Sequence, residues 1–306
     1  MLGASLQPDI IRAAKGDCLS TARENGIKLL QKSIEAENRR DYVGMFSVFT
    51  PVVTVMFNGQ PFGSGTRSEA AKNEAAWEQI LADLHRELQW VDATDDRVVA
   101  QYRLRARHVG EFFGFAPTGN WIDVHGALVC EHDGEHISVQ HVFADQGEMN
   151  RQLSGRSREP GDASAAPIDI SVSESERSRY EAIGERLARQ VYEGEAAKEL
   201  DRWVGAYADP FLDYGYGHAR SMSGEFMRSA TKAVWKATPS VRREVEEVIN
   251  TGNRTTLRWH LTADGPDGNP ISQHGCTVFE HDGELITRSW AYYPDIVKVF
   301  PAIGDM

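Results

Sequence analysis

Apolar and polar residues alternate along two short runs that meet at the same polar turn, and this pattern occurs twice. Residues 125–137 read HGALVCEHDGEHI and residues 274–286 read HGCTVFEHDGELI, identical at 9 of 13 positions and 149 residues apart in a chain of 306. Asp-Gly between alternating runs is a strong hairpin signal, because glycine accepts the positive φ that a tight turn demands. A repeat at about half the chain length indicates a duplicated domain rather than a short-period array. The repeat extends upstream, where VVAQYRLRA (98–106) matches TTLRWHLTA (255–263) and TPVVTVMFNG (50–59) sits where DPFLDYGYGH (209–218) sits. The changing offset places an insertion in the first copy: HVGEFFGFAPTGN (108–120) faces the shorter DGPDGN (264–269). Insertions of this kind belong to surface loops, which often carry function.

The same patterning predicts the remaining elements. Ile27, Leu30 and Ile34 recur at helical spacing within 20–38. After NRRD, an apolar stretch over 42–49 is stopped by Pro51, and a strand follows over 52–57. Gly63, Gly65 and Thr66 read as a loop, with Thr66 or Ser68 capping a helix over 68–83. Strands are predicted at 86–93, 97–108, 119–132 and 136–145. The second copy repeats the order, with helices at 177–194 and 196–205, a strand at 208–217, a helix at 221–236, and strands at 240–250, 254–263, 270–281 and 285–293. The stretch 154–176 is rich in Ser, Pro, Gly, Asp and Ala, as a linker is. The expected organisation is a first domain over 1–155, a linker over 156–172 and a second domain over 173–306. Each domain should be α+β: N-terminal helices on a curved antiparallel sheet, together a cone with a cavity. Gly59, Gly126, Gly215, Gly217 and Gly275 are the expected bend points.

Charge and composition narrow the partners. The net charge is −12 and no Lys/Arg cluster is present, which argues against nucleic acid or an anionic membrane surface. No run of about 18 apolar residues occurs, and the start lacks a basic-then-apolar signal pattern, so a cytoplasmic protein is expected. Cys18, Cys130 and Cys276 show no CxxC spacing and read as free thiols acting as small buried hydrophobes. His132 and His136 are four apart but flank a turn, so no metal site is expected, and no glycine-rich phosphate loop opens a helix.

Residues 107–153 carry a more specific combination: Gly110-Glu111, the loop Gly114-Phe115-Ala116-Pro117-Thr118-Gly119, the Asp133-Gly134 turn, Asp145 at a strand end, and Gln152-Leu153 closing a short helix. This combination resembles the SnoaL-like polyketide cyclases. The resemblance implies the cone fold of the nuclear transport factor 2-like superfamily and, since those proteins pair as homodimers through their sheets, a single-chain pseudo-dimer here. Further homo-oligomers are compatible with it. The second copy departs from the pattern: it lacks the Pro-Thr-Gly loop, and Pro294, followed by Asp295, stands opposite Asp145. The activity implied is cofactor-free aldol closure of a polyketide, in which a cavity Asp and His move a proton next to a carbonyl. Relatives on the same cone open epoxides, isomerise ketosteroids, dehydrate or only bind ligands.

Such chemistry needs a base poised near working pH and a donor for the enolate oxygen. Alternation places Trp121, Asp123, His125 and Ala127 on one face, and Ile137, Val139, His141 and Phe143 on one face. His125, His141 and Asp145 form the expected first-cavity site, with Asp123 as the other base; recurrence of His125 as His274 equally suits a residue of the sheet–sheet interface. In the second copy, Asp213, His260 and His274 are the titratable candidates. Trp121, Tyr214, Tyr216, Trp290 and Tyr292 are the candidate substrate-binding aromatics, with Tyr293 beside them. Arg103, Arg105 and Arg107 alternate on one face and could meet acids of the other half or only solvent. The function expected is a cofactor-independent cyclase or isomerase of a polyketide-like small hydrophobic intermediate. The alternatives are an epoxide hydrolase or epoxide-opening ether cyclase, for which Asp213 with Tyr214 or Tyr216 would serve, and a non-catalytic hydrophobic-ligand-binding protein.

Overall fold

The computed structural model describes residues 20–155, 172–214, 220–265 and 268–294. The first half runs α1 (Thr21–Asn38), α2 (Tyr42–Phe46), β1 (Phe49–Phe57), β2 (Gln60–Thr66), α3 (Arg67–Ala76), β3 (Leu81–Ala93), β4 (Arg97–His108), β5 (Trp121–His132), β6 (Ile137–Ala144) and α4 (Gln146–Leu153). The second half repeats it as α5 (Glu174–Ala196), α6 (Leu200–Val204), β7 (Tyr207–Tyr214), β8 (Arg220–Met222), α7 (Gly224–Ala237), β9 (Arg242–Thr251), β10 (Arg254–Asp264), β11 (Pro270–His281) and β12 (Ile286–Tyr292). Among the described residues no helix is long and apolar enough to cross a membrane.

Local chemistry accounts for the element ends. Ser20 caps α1 by accepting from the Arg23 amide at 3.3 Å. Thr66 and Glu69 form a reciprocal capping box that opens α3. Gly134 and Gly283 take φ of 87° and 103° in the two hairpin turns. In each turn the aspartate accepts two amides: Asp133 from Glu135 and His136 at 2.8 and 2.7 Å, Asp282 from Glu284 and Leu285 at 2.9 Å each.

Each half forms a six-stranded sheet, in the order β2-β1-β6-β5-β4-β3 and β8-β7-β12-β11-β10-β9. Each sheet is mixed, because β1 lies parallel to β6 and β7 parallel to β12. The expected purely antiparallel sheet is corrected in this one pairing: the strand after the first helices enters beside the last strand, running the same way. Gly63, Gly65 and Thr66, expected as a loop, belong to the edge strand β2; its residues are largely exposed, so it has no buried face to leave an apolar alternation. Helix α3 ends at Ala76, and after one 3-10 turn β3 begins at Leu81, five residues earlier than the spacing predicts.

Gly126 and Gly275 serve close approach. A Cβ on Gly126 would stand 2.3 Å from Tyr102 Cζ, and one on Gly275 2.2 Å from Trp259 Cζ2. Gly215 and Gly217 lie outside the described residues.

Both faces of each sheet are covered. The inner faces pack on helices: Leu30 and Ile34 of α1 share one apolar cluster with Ile122, Leu128 and Cys130 of β5, and Leu187 and Val191 of α5 share another with Phe279 and Leu261. The outer faces pack on each other, where Val99, Ala127, Val129 and Phe143 join Ile249, Cys276, Val278 and Tyr292 in one cluster. Polar contacts cross the same layer. Arg97 Nε reaches Glu247 at 2.7 Å, Gln101 Nε2 donates to the Tyr292 hydroxyl at 2.9 Å, and Arg254 Nη1 donates to Gln101 Oε1 at 3.0 Å. The start of α5 is tied to the first half by Arg23–Glu174 at 2.6 Å and Arg177–Asp92 at 3.1 Å.

Candidate functional site

The first cone encloses a cavity of about 100 Å³. Met45, Phe46, Val55, Leu104, Val124, Val142, Ala144 and Met149 give it an apolar wall. Aromatic rings line its open side. Phe62 stacks on Trp77 with centroids 5.3 Å apart, Phe57 on Phe113 at 6.1 Å, and Trp77 meets Phe112 edge-on at 5.6 Å. Phe112 and Phe113 come from the inserted loop, which bends with positive φ at Phe113 (50°) and Gly114 (80°); Phe112 is buried and Phe113 stays partly exposed at the rim. The insertion therefore builds the cavity's cover.

Four polar side chains interrupt this lining: Glu37 from the end of α1, Glu74 from α3, Arg86 from β3 and Gln140 from β6. Glu37 is 1% exposed, and its Oε1 lies 3.1 Å from Arg86 Nη2. The Arg86 guanidinium stands 4.9 Å over the Tyr102 ring, and the Tyr102 hydroxyl donates to the Phe143 carbonyl at 3.0 Å. Burial raises the Glu37 carboxyl, while Arg86, Arg40 and His85 pull it back down. Burial also lifts Glu74 from the ordinary 4.5 to about 7, with the neighbouring charge of Glu37 adding to the rise and Arg86 opposing it. A carboxyl of that strength gains and loses a proton near neutrality, the condition for acid–base work.

The expected site residues fall elsewhere. Side chains alternate across a strand, and on β5 and β6 the cavity takes Val124, Gln140, Val142 and Ala144. His125 and His141 therefore stand on the outer face. His125 Nδ1 contacts Gln89 Oε1 at 3.0 Å, and burial lowers its proton affinity. His141 accepts from the Arg258 guanidinium of the other half; burial and then that cation depress it to about 4. Asp145 caps α4, accepting from the Glu148 amide at 2.9 Å. Asp123 is held bidentately by Arg103 at 2.7 and 2.6 Å. Arg105 reaches Asp123 at 3.4 Å and Arg107 reaches Asp83 at 3.2 Å, so these arginines pair within their own half. Trp121 is 54% exposed beside Arg105.

In the second half, the His260 and His274 rings stack at 4.3 Å; His260 contacts Ser272 and His274 contacts Glu246. Tyr214 stacks on Trp290 at 4.8 Å, and Arg254 stands 5.3 Å over Trp290. With Tyr292, Trp290 belongs to the layer between the sheets. Tyr216 and Asp295 lie outside the described residues. Asp213 is the exception. The pairings Thr54–Val139 and Leu212–Arg288 make it the counterpart of Val55, a cavity residue, and it pairs with Arg220 at 3.4 Å.

The polar centre of the first cavity has a twin. Glu195 and Arg243 approach to 3.4 Å, with Arg243 stacked 4.6 Å over Trp259, repeating Glu37, Arg86 and Tyr102. The surroundings differ. Trp203 replaces Met45, Tyr207 replaces Phe49 and Tyr293 replaces Ala144, and Tyr293 packs 6.0 Å from Trp259. Helix α7 has one acid, Glu225 in its first turn, and nothing matching Glu74. Glu37, Glu74 and Arg86 read as ordinary solvated helix and strand charges in the sequence. A signal was nonetheless present for two of them: Glu-x-Glu closes both long helices (35–37 and 193–195), and Arg-Glu recurs in LHREL (84–88) and VRREV (241–245).

Two α+β cones in tandem, joined through their sheets and each holding a Glu–Arg pair beside an aromatic ring, buried in the first half and half-buried in the second, define the class of protein. The model of the SnoaL-like polyketide cyclase family matches residues 28–153, and that of the SnoaL-like domain family matches residues 188–289. The chain is a tandem duplicate of SnoaL-like domains, each with the nuclear transport factor 2-like fold. No curated protein matches it. Solved structures resemble single halves. A SnoaL-like protein of Jannaschia sp. CCS1 is 17% identical, covers 45% of this chain and 98% of its own, with a TM-score of 0.41. TsrD from Streptomyces laurentii is 18% identical, with coverages of 43% and 96% and a TM-score of 0.39. IdmH from Streptomyces antibioticus is 18% identical, with coverages of 42% and 95% and a TM-score of 0.35.

Proposed function

We propose that the first cone is the active site of a cofactor-independent cyclase or isomerase acting on a small, apolar, carbonyl-bearing molecule of polyketide type. One observation carries the reading: Glu74, with a carboxyl lifted to about 7, shares an aromatic-walled cavity with the Glu37–Arg86 pair. Ionised Glu74 takes a proton from the carbon next to a carbonyl, and the electron pair moves to the carbonyl oxygen. The enolate carbon attacks a second carbonyl of the same molecule, and protonated Glu74 returns the proton to the new alkoxide. Arg86 supplies positive charge that Glu37 holds in place. The match to the polyketide cyclase family model supports this substrate class.

The test is proton exchange in D2O at C2 of an aryl 1,3-diketone, followed by NMR. The expected result is acceleration by the protein and a loss of about 100-fold or more in Glu74→Gln, the scale of one general base. Exchange that is equal in Glu74→Gln and the parent protein overturns the assignment. Two carboxyls beside one arginine also suit epoxide opening, with Glu37 ionised to activate a nucleophile and protonated Glu74 donating to the epoxide oxygen. Turnover of an aryl epoxide without diketone exchange would select that reading.

A further inference from the structure

We propose that Gln140 Nε2 and Arg86 Nε form the donor pair that receives the substrate's carbonyl oxygen as negative charge develops on it. The inference rests on the proton-transfer reading of the first cavity and assigns the half of the chemistry that Glu74 cannot perform. A base alone leaves the electron pair on an oxygen in an apolar enclosure, where an unsolvated anion is costly. Donors already aimed at that oxygen remove the cost without reorganisation.

The two atoms qualify on independent grounds. Gln140 is 2% exposed and lines the cavity, and its Nε2 meets no oxygen or nitrogen acceptor, only the thiol of Cys130. Its cross-strand neighbour is Cys130, whose thiol is a weak acceptor. Arg86 is buried, with Nη2 beside Glu37, while its Nε is without a partner. Arg243 Nε, the twin of Arg86 Nε, is likewise without a partner, so what sets the first cavity apart is that a carboxamide held only by a thiol joins the guanidinium on one apolar lining, where a ligand oxygen would be a better acceptor than sulfur. Tyr102 is excluded from the role because its hydroxyl already donates to the Phe143 carbonyl.

The twin half supports the pairing of donor and base. There Ser289 stands at the position of Gln140, as the pairings of Cys130 with Gln140 and Phe279 with Ser289 show. The half that lacks a counterpart of Glu74 thus also lacks the carboxamide, while it keeps the Glu–Arg pair. Gln140 and Glu74 go together, as two parts of one proton transfer would.

The balance is simple. The carbon–hydrogen bond breaks toward Glu74, its electron pair forms the carbon–carbon double bond, and the carbonyl π pair moves to oxygen. That oxygen accepts from Gln140 Nε2–H and Arg86 Nε–H, and no other reactant is needed.

The probe is 4-nitrophenol, whose phenolate imitates an enolate and is read by absorbance, with nitrobenzene as a shape control that accepts weakly. Gln140→Met keeps the shape and removes the donor, and Gln140→Glu keeps the shape and replaces the amide by a carboxyl. The expected result is a loss of phenolate affinity of about tenfold or more in Gln140→Met, the worth of a hydrogen bond to a charged group. Gln140→Glu should lose more, while nitrobenzene affinity stays within about twofold in both. On the diketone, Gln140→Met should lower kcat about 100-fold with little change in KM. Phenolate affinity unchanged in both variants, or no preference of the parent protein for phenolate over nitrobenzene, overturns the proposal. Glu74→Gln separates the two readings, because it abolishes proton exchange but leaves phenolate binding intact or tighter. Loss of phenolate binding on Gln140→Met, with exchange indifferent to Glu74, would keep the donor pair and discard the base.

Discussion

Replacing Glu74 by glutamine should make the protein more stable, and increasingly so as the pH rises. In the folded chain, burial and the charge of Glu37 raise the Glu74 carboxyl from 4.5 to about 7. Between those two values the unfolded chain holds fewer protons at this position than the folded chain, so stability falls as pH rises through the window. At about 1.4 kcal/mol per tenfold change in proton affinity, the full rise costs about 3 kcal/mol at and above neutrality. Glutamine fills the same space without ionising, and the attraction of Arg86 that it gives up is already counted in the net rise. Parallel guanidinium denaturation of the two proteins should therefore show little difference at pH 4.5 and a gain of about 3 kcal/mol for Glu74→Gln at pH 8. Proton exchange on the diketone should be lost in the same variant, so stability and activity move in opposite directions. A difference that is flat with pH, or one that shrinks as pH rises, would refute the argument that burial strains this carboxyl.

Other outcomes follow from the packing. Gly126→Ala drives a methyl to 2.3 Å from both the Tyr102 ring and the Phe143 carbonyl; it should cost about 3 kcal/mol by thermal or chemical denaturation. Gly275→Ala should cost about as much through Trp259. Ala144→Tyr places in the first cavity the residue that the second half carries at the same point, and should abolish nitrobenzene binding in a protein that still unfolds cooperatively. Phe113→Ala opens the aromatic cover; it should raise KM for the diketone about tenfold or more, as expected for a lost aromatic contact, with a smaller effect on kcat.

The fold was legible because its signals are local. The Asp-Gly hairpins, the capping residue Thr66 and the helical spacing of Leu30 and Ile34 each act within a few residues, and the duplication showed them twice. Edge strand β2 was not legible, since a strand with no buried face carries no alternation. The two histidines were assigned to the other face of their strands for a definite reason. Alternation separates the two faces of a strand but does not say which is inner, and here both are buried. Leu128 and Cys130 face helix α1, while Ala127 and Val129 face the second sheet, and the two sets are equally apolar. His125 and His141, assigned to the cavity on the strength of shared parity, belong to the outer set. Asp145 sat at the expected strand end, where its carboxyl serves the first turn of α4. Asp213 was placed on an inward-facing position. Glu37 and Glu74 come from helices whose other charges are solvated, and composition cannot single them out.

The seam between the sheets has an evolutionary consequence. In a homodimer each surface residue meets its partner twice, so any change is tried in duplicate and must suit both places. Here Arg97 and Arg254 occupy equivalent strand positions, as do Trp90 and Glu247, yet Arg97 grips Glu247 while Arg254 stacks on Trp90 at 4.6 Å. Equivalent positions thus make an ion pair on one side and a cation resting on an indole on the other. Each codon is now written once, and a tether keeps the halves together while either one drifts. The same liberty extends inward: one cone can keep an open chamber while its sibling accumulates Trp203, Tyr207 and Tyr293, a route to asymmetry that a symmetric dimer does not have.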